Sequence, residues 1–492
     1  MAKGLATLND KSSPVIVWFR QDLRLADNPA LHAARQTGQP LICIYIFDDV
    51  SHGLRPPGGA TKYWLHSALK ALDESLRKHG GALHVLRGPA KTLIEEFAVT
   101  SRASTVFWNR RYDEAGRNVD TAIKIAFKER GIAAESFNAN LLHEPWTIAS
   151  KTNTPFKVFT PFWRAARVKG EPDAPLGAPR TLTFHDLPKS IEPVALADLR
   201  LEPDKPDWAV GLREAWTPGE AGAHAALKHF LKSGLPVYAA QRDRPDKPAT
   251  SRLSPFLHFG HISPRQVWHA AQAAMMSGTS KASSTDVEKL FSELGWREFS
   301  YHLLFHHPDL ATVNFQSRFD ALTWRHDAKA LRAWQRGLTG YPIVDAGMRE
   351  LWATGWMHNR VRMVTGSFLI KHLLIDWREG ERWFWDTLVD ADAANNAASW
   401  QWVAGSGADA APYFRIFNPI LQGEKFDPDG AYVRRWVPEL AKLPTTLVHR
   451  PWKATQDQLA AAGIRLGETY PRPIVEHDAA RKRALTALEA VG

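Results

Sequence analysis

The sequence predicts a two-part α/β protein: an N-terminal doubly wound parallel sheet followed by an all-helical domain. Short apolar runs at Val15–Phe19, Leu41–Phe47, 83–86 and 105–108 alternate with helical patterns at 60–79 and 113–130. Strands separated in this way by helices pair in parallel and are covered on both faces. Beyond residue 215 the strand signals nearly vanish and amphipathic helices dominate, as at 220–233, Pro264–Met276 and 287–305. Residues 136–215 follow neither rhythm. Their prolines, in Glu171-Pro-Asp-Ala-Pro175 and Glu202-Pro-Asp-Lys-Pro206, predict a connector laid over the surface. The expected division is 1–135, 136–215 and 216–492, and 492 residues suffice for at least two domains.

In the first part, the polar segments Arg20-Gln-Asp-Leu-Arg24 and Asn109-Arg-Arg-Tyr112 follow strands. Ligands of doubly wound sheets sit at those carboxyl ends. No Gly-x-Gly-x-x-Gly run follows a strand, so an ordinary dinucleotide site is not indicated. Cys43 is the only cysteine and lies inside an apolar run. That excludes an internal disulfide framework and a multi-cysteine metal site, and it fits a reducing compartment. The first 14 residues are polar and lack the apolar core of a secretory signal. No apolar run approaches the ~20 residues of a membrane helix. A cytoplasmic protein with no membrane segment and no metal is expected. The net charge of +10 suits a polyanionic partner without establishing one. Twenty tryptophans read either as large apolar cores or as working rings.

The most informative segment is Gly355-Trp-Met-His-Asn-Arg-Val-Arg-Met363. Read as a helix of 3.6 residues per turn, it places Trp356, Asn359, Arg360 and Met363 on one face and points Arg362 elsewhere. An aromatic ring, a thioether, an amide and a guanidinium together suit a flat, polar-edged, anionic ligand such as a nucleobase on its phosphate backbone. Thr250-Ser-Arg-Leu-Ser-Pro255 has the parts of a phosphate cradle, though the same residues read as an everyday helix cap. Glu293 and Trp296 share a helix face, with Arg297 four residues after Glu293. They are either a surface Glu–Arg pair beside a core ring, or a carboxylate against an aromatic wall that hydrogen-bonds a ligand. Asp390-Ala-Asp-Ala-Ala-Asn-Asn396, followed by Trp400-Gln-Trp402, would pair a carboxylate with Arg362 and turn amides toward a heterocycle. Trp324, Trp377, Trp400 and Trp402 read equally as packing.

In this order and spacing, the elements resemble the photolyase/cryptochrome flavoprotein family. The likeness runs from Val15-Ile-Val-Trp-Phe-Arg-Gln-Asp-Leu-Arg-Leu-Ala-Asp-Asn28 through Tyr413-Phe-Arg-Ile-Phe-Asn-Pro419, nearly the whole chain. It implies an antenna domain and a helical domain that holds FAD in a folded form. By this resemblance Tyr238, Thr250, Ser251, Arg252, Leu253 and Ser254 lie at the flavin's phosphates and nearby groups. Arg362 and Asp390 form an ion pair beside the isoalloxazine, with Ala391 and Asp392 near the cofactor. Asn396, four residues before Trp400, faces flavin N5, and Asn395 is the alternative. Trp400, Trp377 and Trp324 match a chain of rings that photoreduces the flavin.

The resemblance also maps a substrate pocket to Glu293, Trp296, Asn359, Met363 and Trp402. Arg242, Arg297, Arg360, Arg415 and Gln422 become contacts to the DNA backbone. Asn109 suits a methenyltetrahydrofolate antenna, with a deazaflavin or an empty site as alternatives. Position 290 is Leu where relatives often carry Trp. The implied activity is light-driven repair of cyclobutane pyrimidine dimers in UV-damaged DNA, by electron transfer from excited reduced FAD to a flipped-out dimer. A monomer without a protein partner is expected. A cryptochrome-type photoreceptor and repair of the (6-4) photoproduct are the alternatives. Asn396 weighs against the first, and Asn359 with Met363, in place of paired histidines, against the second.

Overall fold

The computed structural model describes residues 13–410 and 414–491. Residues 1–12, on which most of the reading of the N-terminus falls, and Tyr413 of the closing motif lie outside them. The apolar runs form one all-parallel sheet of β1 (Val15–Phe19), β2 (Leu41–Phe47), β3 (Leu83–Arg87), β4 (Thr105–Asn109) and β5 (Ala133–Phe137), in the order β3-β2-β1-β4-β5. β1 is central and wholly buried. Its alternate side chains serve two cores. Val15, Val17 and Phe19 pack with helices Pro29–Gln36 and Gly59–Arg77, while Ile16 and Trp18 pack with Ala90–Thr100 and Glu114–Glu129. Burial on both faces is why these strands read as continuous apolar runs.

Two expectations need correction. β5 is missing from the sequence reading and crosses the expected boundary at 135, so the sheet domain reaches at least Phe137. Its residues, Ala-Ala-Glu-Ser-Phe, lie on the sheet edge and are mostly half-exposed, which leaves no apolar run to announce a strand. The connector, too, contains helices at Phe159–Val168 and Val210–Ala215. The first packs Phe162 against Phe299 of the long helix Ser284–His306, with ring centroids 5.2 Å apart. Past the connector the described residues are helical, as expected, apart from loops and one isolated bridge between Leu466 and Tyr470. Among the described residues no helix is long and apolar enough to cross a membrane.

The loop after β1 joins the domains. Arg24 is fully buried, and its guanidinium donates to the carbonyls of Asp27 (2.7 Å), Ala139 (2.8 Å) and Gly260 (2.8 Å). Asp27 accepts from Arg265 at 2.8 Å, and Glu220 accepts the N–H groups of Leu25 (2.8 Å) and Ala26 (3.0 Å). His261 completes the junction. Its Nε2 accepts from Trp64 at 3.0 Å, and its Nδ1 donates to the Leu23 carbonyl at 3.0 Å. A second ring proton would face the Trp64 N–H, so one neutral tautomer fits.

Burial accordingly lowers the His261 pKa from 6.5 to about 4. With the folded value below the unfolded one, the unfolded chain takes up the proton first. Stability is therefore lost as pH falls from about 6.5 to about 4. We expect the thermal midpoint to drop across that window. Trp64→Phe should cost about 1–2 kcal/mol at neutral pH yet flatten the slope, because it frees Nε2. An equal slope in both proteins would refute this account of His261.

Candidate functional site

The segment Gly355–Met363 is not one helix. Helix Pro342–Thr354 ends at Gly355, whose left-handed backbone (φ 67°) closes it, and helix Asn359–Ser367 begins after His358. His358 caps that second helix by accepting the Arg360 N–H at 3.2 Å. Trp356 therefore sits in a turn rather than on the Asn359 face. Residue spacing alone does not mark this break, because Gly355 ends one helix rather than starting the next. The residues still converge: Trp356, Asn359, Arg360, Arg362 and Met363 all line one cavity of about 540 Å³. Cofactor sites typically occupy about 300–1,000 Å³.

The residues expected at the cofactor line this cavity, and several are bonded to one another. Arg362 donates to both oxygens of Asp390, at 3.1 and 2.8 Å, and Ser254 donates to Asp390 at 2.6 Å. Asp390 is buried, so this charge-assisted fork is partly shielded from water. Asp392 accepts the N–H groups of Ala394 (2.9 Å) and Asn395 (2.7 Å), which starts helix Asn395–Ala404. That helix brings Asn396 and Trp400 to the cavity. Tyr238, Thr250, Ser251, Leu253 and Ala391 line it as well.

Arg252 adopts a left-handed backbone (φ 52°) that costs a non-glycine residue about 1 kcal/mol. Its guanidinium lies over Trp216 (4.3 Å) and Trp356 (5.0 Å), with no carboxylate in ion-pair range among the described residues. A stacked guanidinium with free donors suits a phosphate. Trp400 Nε1 is buried without a partner. Cavity size, phosphate-side donors and this orphaned donor all fit a flavin nucleotide.

The residues that the resemblance maps to a substrate pocket, Glu293, Trp296, Asn359, Met363 and Trp402, line the same cavity. Glu293 pairs with Arg242 at 2.7 Å and Lys289 at 3.5 Å, not with Arg297. Arg297 instead donates to the Asn140 carbonyl at 2.6 Å, toward the connector. Trp296 stacks on Phe159 at 3.8 Å, so the connector helix braces this ring. Trp402 donates to the Asp409 carbonyl at 3.1 Å. Arg360 is held by Asp243 at 2.7 Å. Leu290 also lines the cavity.

Other expected residues lie elsewhere. Arg415 and Gln422 do not line the cavity; Gln422 is on helix Pro419–Phe426, and the Arg415 carbonyl accepts from buried Lys371 at 2.6 Å. Trp377 is fully buried and donates to Asn314 at 2.9 Å, while Trp324 is half-buried. Both share an apolar core with Trp400. Trp400 itself meets the rings of Phe384 (4.9 Å) and Trp334 (6.2 Å) and lies over Gly380, where an added Cβ would be 2.1 Å from it.

A second cavity opens at the carboxyl ends of β1, β2 and β4. Trp18, Tyr45 and Phe47 give it aromatic walls, and Arg20, Arg55 and Arg111 line it, held by Asp120, Glu381 and Asp113 in turn. Trp385, from the helical domain, closes one side. Asn109 does not reach it. Its amide donates to Asp22 (2.5 Å) and Asn28 (2.8 Å) and accepts the Ala30 N–H (3.3 Å), bracing the loop after β1. Arg55, Trp385 and Glu381 went unseen in the sequence because they meet only across the domain boundary.

Residues 15–180 match the family described as DNA photolyase, and residues 290–490 match the FAD binding domain of DNA photolyase. The chain is 54% identical to the deoxyribodipyrimidine photo-lyase of Agrobacterium fabrum, over 98% of both chains. It is 40% identical to cryptochrome-1 of Arabidopsis thaliana, over 96% of this chain and 70% of that protein. Among solved structures, a bacterial class III photolyase from Agrobacterium tumefaciens superposes with a TM-score of 0.93 at 52% identity, covering 99% of each chain.

Gly355 offers a direct check on the site's geometry. A Cβ there would meet Val389 at 2.7 Å in a left-handed backbone. Gly355→Ala should lower stability by about 1–2 kcal/mol, read as a shifted denaturant midpoint. An unshifted midpoint would contradict the turn described above.

Proposed function

The chain belongs to the DNA photolyase family, and from that premise we propose that it repairs cyclobutane pyrimidine dimers in DNA with light. The observation that carries this reading is that one cavity is lined by both residue sets. Arg362, Asp390 and Asn396 line it together with Glu293, Trp296, Asn359, Met363 and Trp402. The first set holds FAD, with Tyr238, Arg252 and Ser254 on its phosphate side. Bound FAD in its reduced state supplies the electron that light sends to the lesion.

This chain's own residues do the rest. Glu293 and Asn359 hydrogen-bond the edges of the pyrimidines, while Trp296, Trp402 and Met363 exclude water and wedge the dimer. A dimer reaches such a pocket only by leaving the stack, as the bases acted on by photolyases and glycosylases do. Arg242, Arg297 and Arg360 hold the backbone around it without reading sequence, and Arg415 and Gln422 extend that contact. Trp324, Trp377 and Trp400 return electrons to oxidised flavin from the surface.

The second cavity suits the antenna, methenyltetrahydrofolate or alternatively a deazaflavin, because aromatic walls and the guanidiniums of Arg20, Arg55 and Arg111 match a flat anionic chromophore. The protein acts in the cytoplasm as a monomer, in three parts: antenna domain, connector, and catalytic domain. Asn396 supports repair over a photoreceptor role, because an amide cannot donate a proton to the flavin as a carboxylic acid can.

UV-irradiated DNA mixed with the purified protein should lose its dimers under near-UV or blue light and keep them in the dark. Equal loss in both would exclude a photolyase. Glu293→Ala should retain flavin and lose most of the repair yield per absorbed photon, whereas a wild-type yield would remove Glu293 from the substrate pocket.

A further inference from the structure

The Asn396 amide has a fixed orientation, set by Glu381 of the same domain, which is in turn held by Arg55 from the other domain. Nδ2 of Asn396 lies 2.8 Å from Glu381 Oε1 and 3.1 Å from the Glu381 carbonyl oxygen. Both neighbours are acceptors, so the NH₂ group must lie on that side. Among the described residues Oδ1 has no protein partner and is not enclosed, which leaves it open to the cavity that Asn396 lines. Glu381 is almost wholly buried, with 3% of its side chain exposed. An isolated buried carboxylate is costly. Arg55 offsets that cost with a two-pronged contact, Nη1 to Oε1 at 2.6 Å and Nη2 to Oε2 at 2.8 Å.

Arg55 is itself held. Its guanidinium lies 3.9 Å from the centre of the Trp385 ring, on the same helix, Trp377–Thr387, that carries Glu381. Trp385 donates to the Pro56 carbonyl at 2.9 Å, and Asp386 accepts the Gly59 N–H at 2.8 Å. At Gly58 any Cβ would meet the Trp385 carbonyl at 2.2 Å. The segment from Arg55 to Gly59 is therefore pressed directly onto this helix.

We propose that Arg55 and Glu381 are positioning residues that set the flavin-facing amide. Arg55, from the sheet domain, keeps Glu381 as an acceptor. Glu381 then takes the NH₂ of Asn396 and turns Oδ1 to the cavity. This rests on the reading that FAD occupies the cavity with N5 at Asn396. Reduced flavin carries a hydrogen on N5 and oxidised flavin does not, so a fixed acceptor there favours the reduced form. Neither residue touches the substrate set.

The test is redox titration of the purified, FAD-loaded protein, with no DNA present. A Gln at 381 brings an NH₂ that competes with that of Asn396, so Glu381→Gln should lower the ratio of reduced to oxidised flavin at a fixed potential by about tenfold, the scale of one charge-assisted hydrogen bond. Arg55→Ala should shift it in the same direction by less. Arg55→Lys keeps the charge but loses the fork, and should fall between Arg55→Ala and wild type. A purely structural role would lower the melting temperature and leave this ratio unchanged. Wild-type ratios in flavin-bound Glu381→Gln and Arg55→Lys overturn the proposal. Failure of the flavin reading is distinct, because the wild-type protein itself would then show no flavin absorbance.

Discussion

The buried guanidinium of Arg24 is the contact on which the rest of the arrangement depends. It takes carbonyls from its own loop, from the connector at Ala139 and from the helical domain at Gly260. A buried cation is tolerated only when its donors are matched in this way. The match fixes the loop after β1 against the residues 258–265, and with it the angle between sheet and helices. Because the domains form one packed body, the two cavities share a wall. Ala391 lines both, and helix Trp377–Thr387 presents Phe384 to one and Trp385 to the other.

The main cavity has a distinctive charge arrangement. Its cations are mostly paired before any ligand arrives: Arg362 with Asp390, Arg242 with Glu293, and Arg360 with Asp243. Such pairs hold these side chains in place. Arg252 is the contrast, stacked on rings with its donors free, and it stands where the sequence suggested a phosphate cradle. Among the described residues that line this cavity, Arg252 is thus the guanidinium with no carboxylate in ion-pair range.

Much of this was legible in the sequence, for identifiable reasons. Strands buried on both faces wrote themselves as apolar runs, so four of five appeared at or near their bounds. The edge strand at Ala133–Phe137, with its polar and half-exposed residues, did not. Arg362 with Asp390 could be paired because the motif resemblance carried both positions. Local spacing misled at Gly355, where a helix ends, and at Arg297, whose i+4 relation to Glu293 gives way to the connector carbonyl of Asn140. Asn109 looked like a ligand residue from its place after a strand, yet its amide is consumed in bracing a loop. The Arg55–Glu381 fork spans 326 positions of chain, and no local pattern points to it.

On the proposed reading the main cavity holds FAD, and the cavity at the carboxyl ends of the strands holds a second, different chromophore. The most direct measurement is the absorption spectrum of the purified protein before and after denaturation, with the released chromophores separated and identified. The account predicts one FAD per chain, plus a folate or deazaflavin released with it. Release of no flavin, or of a flavin lacking the adenine nucleotide half, would contradict it.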